Sequence, residues 1–120
     1  MTVCANGNFF FDKPDEVTAF IREHAGAREQ DEIWISGEEK YPCIALLTHG
    51  EYAAVNYFEQ EDGDMWLSEG RLDKEIAFLA GGEEWIAPSD AVISLCDALQ
   101  CVTEFCETGA RPSCIHWQEL

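Results

Sequence analysis

Acidic side chains crowd residues 58–70, whose sequence is FEQEDGDMWLSEG. Carboxylates at this density could hold a calcium ion. An EF-hand loop needs oxygen ligands at positions 1, 3 and 5, a glycine at 6 and a glutamate at 12. If Gly63 occupies position 6, Glu69 falls at position 12 as required, but positions 1 and 3 become Phe58 and Gln60. The leading ligand is lost, so the pattern argues against calcium. A solvated turn or a basic partner is left to explain the charge.

The six cysteines include no C-x-x-C pair, the spacing that is typical of zinc sites. Cys96, Cys101 and Cys106 lie five residues apart, and on a helix each is rotated by about 140° from the one before. Three thiols that point in such different directions cannot ligate one metal ion. We therefore expect free thiols, as in a reducing compartment, and neither a metal nor another cofactor.

A cysteine and a histidine can together form a nucleophile and its base. Cys43 or Cys114 near His49 or His116 would supply such a pair if the fold brought them together. With six cysteines and three histidines, however, a pair of this kind is expected by chance. The chain also contains no glycine-rich phosphate loop and no nucleophile elbow. The sequence therefore favours a protein that is not an enzyme.

The charge balance is strongly negative, since 7 Lys and Arg against 24 Asp and Glu give −17 over 120 residues. Such a chain repels nucleic acid and anionic membranes and attracts basic partners over long range. Solubility alone is the simpler explanation. A hydrophobic content of 47% is enough for one folded domain over residues 1–120. Because neither a signal peptide nor a membrane-length apolar run is present, we expect a cytoplasmic protein.

The first part of the chain is expected to form a short hairpin and then a helix. Residues 2–10 could pair through an Asn6-Gly7 turn. Asp12 is expected to cap the helix, with Pro14 in its first turn. The apolar stripe of this helix ends at His24, which we expect to be partly buried and hydrogen-bonded rather than catalytic.

The middle of the chain changes to the pattern of short strands, rich in β-branched and aromatic residues and separated by turns. The short links favour an antiparallel meander. The strand segments are residues 32–36, 43–49, 52–59, 65–69 and 75–80, with 83–87 as a sixth candidate. The acidic stretch then becomes the hairpin tip between the third and fourth of these strands, with Asp62-Gly63 as its turn.

A second helix is expected over residues 88–108, where apolar positions recur at helical spacing and a glycine follows. Its apolar stripe would turn Cys96 and Cys106 towards the core and leave Cys101 on the solvent side. The last stretch, residues 111–120, is typical of an amphipathic strand that must pair with the sheet to hold its tryptophan. The sequence thus predicts an α+β fold: an antiparallel meander sheet of about five to seven strands, with two helices packed on it and a C-terminal strand completing it.

Two short motifs within this order of elements carry a resemblance to a known family. They are EEKYP at residues 38–42 and the terminal pattern RP…I-x-W-x-E-L at residues 111–120. Together with the order of helices and strands, they resemble the first family of immunity proteins of bacterial polymorphic toxin systems. The resemblance implies a small cytoplasmic α+β protein that binds a cognate toxin, often a nucleic-acid deaminase, and blocks its active site.

A toxin that acts on nucleic acid must offer a positive groove to phosphates, and carboxylates with an aromatic anchor could fill that groove. We therefore expect a 1:1 complex with a basic toxin domain, with contacts in the 58–70 hairpin and, as a second choice, in a neighbouring link. The expected contact residues are Glu59, Glu61, Asp62, Asp64 and Trp66 in the hairpin, and Glu38 and Glu39 in the link.

Other interpretations remain open from the sequence. Trp66 could point into the core while the acids merely solvate a turn. At the level of function, the chain could be an acidic decoy of DNA or a secretion chaperone that binds basic proteins generally, or a small enzyme that uses a cysteine and a histidine.

Overall fold

The computed structural model describes residues 1–5 and 7–120, so Asn6 of the expected Asn6-Gly7 turn lies outside the described residues. These residues form ten strands, two α-helices and a short 3-10 helix. The strands are β1 (Thr2–Cys4), β2 (Asn8–Phe10), β3 (Gln30–Ser36), β4 (Cys43–His49), β5 (Tyr52–Phe58), β6 (Met65–Glu69), β7 (Ala77–Ala80), β8 (Glu83–Ile86), β9 (Ile93–Ser94) and β10 (His116–Glu119). The helices are α1 (Pro14–Ala27) and α2 (Leu95–Thr108), and the 3-10 helix is Ser89–Ala91. In the described part of the chain, no helix is long and apolar enough to cross a membrane.

The main sheet is antiparallel and has the strand order β10-β6-β5-β4-β3-β1-β2, with the short β9 also paired to β5. Its centre is the meander β3-β4-β5-β6, in which each strand pairs with the next one along the chain. The C-terminal strand β10 pairs with β6 at one edge, and the β1–β2 hairpin lies at the other. The predicted α+β fold, with its meander and completing C-terminal strand, is confirmed.

The helices cover one face of this sheet and form the larger core with it. Because successive side chains of a strand point to opposite faces, every second residue of the central strands meets the helices. These sheet residues are Ile33, Ile35, Ile44, Leu46, Val55 and Tyr57, all of them buried. On the helix side they pack against Val17 and Ile21 of α1 and Val102 and Phe105 of α2. Burial of each large apolar side chain contributes roughly 1.5–3 kcal/mol, so this face holds the helices in place.

The start of α1 differs from the prediction by one residue, because the cap residue is Lys13 and not Asp12. Pro14 is the first helical residue, and the residue before a proline is restricted to extended backbone; Lys13 adopts it, with φ −123° and ψ 142°. The side chain of Glu16 accepts a hydrogen bond from the Lys13 N–H at 3.2 Å. The expectation for His24 is confirmed, since it is partly buried and its Nδ1 lies 3.2 Å from a carboxylate oxygen of Asp31.

The second helix begins later than predicted, at Leu95 rather than at residue 88. The segment before it forms the 3-10 helix and then β9, where Ile93 pairs with Ala53 of β5. Ser94 ends the strand and caps the helix, its hydroxyl accepting a hydrogen bond from the Asp97 N–H at 3.1 Å. The predicted end is confirmed: Gly109, with a φ of 67°, terminates α2.

The predicted faces of the α2 cysteines are wrong for two of the three. Cys101 is fully buried and Cys96 is exposed, while Cys106 is partly buried against the core as expected. An apolar stripe that runs from Val92 through Leu95, Cys96 and Leu99 starts before the helix, which begins at Leu95. With the helix beginning at Leu95, its buried residues are Ala98, Leu99, Cys101, Val102 and Phe105.

The segments predicted at 75–80 and 83–87 do not extend the meander. They contain β7 and β8, which pair only with each other and lie over the second face of the main sheet. Phe78 of β7 is fully buried in a second core with Leu47, Ala54 and Leu67. Every residue of β4 from 43 to 48 is buried, so this strand is covered on both faces. The hairpin provides the second cover over the Leu47 part of the strand.

Phe78→Ala should lower the free energy of unfolding by about 3–5 kcal/mol, since it leaves a cavity in the second core. Urea denaturation measures the change. Ile86→Ala on β8 is the control, because Ile86 is 56% exposed; it should stay within about 0.5 kcal/mol of wild type. Equal stability of the two variants would contradict the covering role of the hairpin.

Gly70→Ala should destabilise the fold by about 1–3 kcal/mol through overpacking. An added Cβ would lie 2.5 Å from the carbonyl oxygen of Val92 and 2.8 Å from Cγ2 of Ile93. Gly26, in α1, has nothing within 4 Å of such a Cβ, so Gly26→Ala should instead raise stability by about 0.5–1 kcal/mol. Guanidinium unfolding of both variants measures whether each substitution lowers or raises the free energy of unfolding. An unchanged free energy for Gly70→Ala would show that the close approach of Gly70 to Val92 is not needed.

Candidate interaction surface

The two acidic links lie at the same end of the main sheet. Ser36, Cys43, Phe58 and Met65 are aligned as neighbours across four strands. The link 37–42 leaves this row after β3 and returns at β4, and the link 59–64 leaves it after β5 and returns at β6. Both links therefore project from the same end of the sheet. The sequence alone did not decide whether they lie at the same end.

Six exposed carboxylates crowd this end of the sheet, which we call the acidic end. They are Glu38 and Glu39 in the first link and Glu59, Glu61, Asp62 and Asp64 in the second. Within the described residues, His24 pairs with Asp31 and His49 with Glu29, both outside the acidic end. The cation in the first of these links, Lys40, lies over the ring of Tyr41 at 5.8 Å from its centroid. With six carboxylates and one lysine in its two links, the acidic end carries net negative charge, whose field reaches beyond the surface.

The turn within the second link is centred one residue earlier than predicted. The carbonyl of Gln60 accepts a hydrogen bond from the Gly63 N–H at 3.4 Å, so Glu61 and Asp62 are the two central residues and Gly63 is the fourth. Glycine is favoured at that fourth position of a type I turn. The consequence is that both central carboxylates lie at the outermost point of the hairpin.

Trp66 belongs to the core side of the sheet rather than to the exposed acids. It packs against the helix-side core, with its ring 5.7 Å from that of Tyr57. The guanidinium of Arg111 lies over the same ring, 4.6 Å from its centroid. Burial, reinforced by the charge of Glu59, raises the pKa of the Tyr57 hydroxyl. The structure therefore gathers the six carboxylates at one end of the sheet and places the ring of Trp66 against the helix-side core.

A different set of large apolar side chains is exposed beside the acidic end. Trp34, Phe58 and Met65 lie on the second face of the sheet, and we call them the apolar patch. The rings of Trp34 and Phe58 stack at a centroid distance of 5.3 Å with planes 20° apart. Trp34 is 37% and Met65 39% exposed. The sequence held a signal for this patch: Trp34 stands between the buried Ile33 and Ile35, where an outward-facing strand position is ordinarily polar.

The apolar patch occupies the part of the second face that the β7–β8 hairpin leaves open. The hairpin covers Leu47 and Ala54, and its turn is tied to Glu32, whose carboxylate accepts the Gly81 N–H at 3.0–3.1 Å. Glu32 lies in the first half of β3, away from the acidic end. The patch is therefore bounded by the hairpin on one side and by the carboxylates on the other.

The cysteine–histidine pair on β4 is not assembled. Cys43 and His49 are the first and last residues of that strand, which at ~3.3 Å per residue are roughly 20 Å apart. The Nδ1 of His49 lies 2.6 Å from the carbonyl oxygen of Ala77, the geometry of an N–H donated to it. Burial raises the pKa of the Cys43 thiol, the opposite of what an activated nucleophile needs.

Cys114 is placed against another cysteine. Its Sγ lies 3.5 Å from the Sγ of the buried Cys101, and burial raises the pKa of both thiols. His116 is exposed on β10. In residues 1–5 and 7–120, no three His, Cys, Asp or Glu side chains converge in a way that could hold a metal ion.

Comparison with known families adds an independent finding. Residues 6–119 match the family model described as Immunity protein Imm1. Among curated proteins no match to the chain was found. The matched range includes both helices, the whole central meander, both acidic links and the C-terminal strand. It also confirms the resemblance carried by the EEKYP and C-terminal motifs. The chain therefore belongs to the Imm1 family of immunity proteins, and its function is immunity against a toxin.

Proposed function

We propose that this immunity protein inhibits its toxin by inserting the acidic end of its sheet into a basic active-site cleft where nucleic acid would otherwise bind. One observation carries the proposal. Six exposed carboxylates from two separate links are gathered at one end of the sheet, and within the described residues none of them forms an ion pair. Charges collected in this way favour a complementary surface on another molecule.

The physical reason lies in what such a toxin must offer its substrate. A protein that acts on nucleic acid neutralises phosphates with Lys and Arg. Carboxylates that enter the same groove find the same cations and exclude the substrate. The net charge of −17 adds a long-range attraction, which can raise the association rate constant towards ~10⁸ M⁻¹s⁻¹ at low salt. Fast capture is an advantage when one active toxin molecule can damage a genome.

The proposed partner is a deaminase-type toxin bound in a 1:1 complex in the cytoplasm. The family resemblance supports the deaminase class, because immunity proteins of this kind often accompany such toxins. The free thiols in the described residues are compatible with a reducing compartment. A specific complex of this type buries ~1,600 Å² or more in total.

Reversing the charge of the outermost carboxylates should slow capture of the toxin. The double variant Glu61→Lys, Asp62→Lys is expected to lower the association rate constant at least ~10-fold at low salt, because it places cations opposite a basic cleft. Stopped-flow mixing with the toxin domain encoded beside this chain's gene measures the rate. The salt dependence should flatten in parallel.

The matched control is Glu83→Lys, Glu84→Lys, which changes the net charge equally at exposed positions of β8. If both double variants slowed association alike, net charge and not the acidic end would steer the encounter. An unrelated basic protein that competed at equal affinity would favour a general acidic decoy or chaperone instead.

Inhibition should be stoichiometric. Titrating the same toxin domain with the protein, while following deamination of cytosine or adenine in a nucleic-acid substrate, should abolish activity at one equivalent. A toxin domain that binds the protein but deaminates neither base would reject the deaminase class and leave cleft occlusion standing. Full residual activity at saturating protein would reject occlusion itself.

A further inference from the structure

We propose that the apolar patch is the anchor of the toxin interface, and that it receives an apolar side chain of the toxin flanked by Lys or Arg residues that meet the acidic end. The inference rests on the proposed function and adds to it the location and chemistry of the contact. The occupant is a basic surface with an apolar protrusion, and not a small ligand.

The residue types of the apolar patch are unusual for an open sheet face. The open face of a half-covered antiparallel sheet is normally polar. Here Trp34 and Met65 are exposed, and the partly buried Phe58 stacks on Trp34. Scattered apolar residues on a surface need no explanation, but a contiguous patch beside a charged surface does. Tryptophan is also the residue most enriched among those that dominate binding energy.

The apolar patch is continuous along the chain with the acidic end. Phe58 immediately precedes Glu59, and Met65 immediately follows Asp64. Ser36, in the same cross-strand row as Phe58, leads into the link that holds Glu38 and Glu39. The apolar centre is thus bordered by carboxylates, which is the arrangement of a protein interface with an apolar core and a polar rim.

The rings of the apolar patch are preorganised for binding. Trp34 belongs to β3, which is paired on both sides, by β1 and β4. The two rings stack across β4, where the small side chains of Ala45 and Cys43 are 3% and 5% exposed and form the floor. Rings held by a paired sheet lose little conformational freedom on binding, which lowers the entropic cost of the complex.

The negative charge of the molecule favours a basic toxin over a second copy of this chain as the occupant of the apolar patch. The strands of the main sheet within the described residues contain no Lys or Arg. Two copies docked through their patches would each carry a net charge of −17, and such like charges repel. A basic partner is attracted by the same arrangement. Trp66 is not an alternative anchor, because Arg111 already covers its ring.

The experiment compares Trp34→Ala and Met65→Ala with Ile86→Ala in the full chain. Ile86 is exposed on β8, and it points away from the main sheet because its strand partner is Ala77 and not the buried Phe78. Binding to the toxin domain encoded beside this chain's gene is measured by calorimetry at near-physiological salt. We expect Trp34→Ala to raise the Kd about 30-fold or more and Met65→Ala about fivefold, and Ile86→Ala to leave it within a factor of about two.

The salt dependence separates the patch from the charges. The patch variants should weaken binding equally at low and high salt, because they remove no charge. Trp34→Phe, which keeps a ring, should recover most of the affinity, and thermal melts establish which variants are folded. If Trp34→Ala unfolds, Met65→Ala and Trp34→Phe carry the test.

Each remaining outcome has one meaning. If wild type binds the toxin domain and the folded patch variants bind as tightly as Ile86→Ala, the patch is not the anchor and the proposed function stands. If wild type does not bind, the proposed function itself fails. If light scattering shows that the free protein is a dimer that Trp34→Ala converts to a monomer, a second copy occupies the patch and the inference is overturned.

Discussion

The two-sided burial of strand β4 is the constraint on which the architecture depends. Its residues 43–48 are all buried, so the sheet has two apolar faces at its centre and needs two covers. The helices provide the first cover, and the β7–β8 hairpin provides the second over only part of the other face. What the hairpin leaves open is where the apolar patch and the acidic end meet. The candidate surface is therefore the part of the second apolar face that the hairpin does not cover.

Local patterns in the sequence predicted which helices and strands form better than they predicted where these elements pack. Alternation and turn residues predicted the meander, because these signals act between neighbouring strands. They could not predict that Phe78 would lie over the sheet, since a hairpin has the same pattern whether it joins a sheet or covers it. Val92 and Ile93 continue the apolar spacing of α2, yet they precede it because Ile93 pairs with Ala53 and the Ser94 hydroxyl caps the helix. The first contact joins residues that are distant in sequence, and the second is a single side-chain hydrogen bond. The spacing of apolar residues carries no information about either.

The same contrast between local properties and packing applies to the candidate surface. The density of acids along the chain predicted the acidic end, because exposed charge is a local property. The choice of Trp66 as its aromatic neighbour rested on nearness in sequence. Strand alternation turns Trp66 towards the helices and its neighbour Met65 towards the open face, beside Phe58. Since both faces of the central sheet are apolar, the sequence contains no rule for deciding which of the two faces remains open.

The separation of the two sheet faces has a consequence for how such a protein can change over generations. The side chains of the apolar patch lie on the face opposite the helices and the carboxylates of the acidic end are exposed, so most replacements there disturb few packed neighbours and little folding free energy. On the proposed interface, selectivity for a new toxin can therefore change through loop tips and three strand positions. Such changes leave the helices and the central meander as they are.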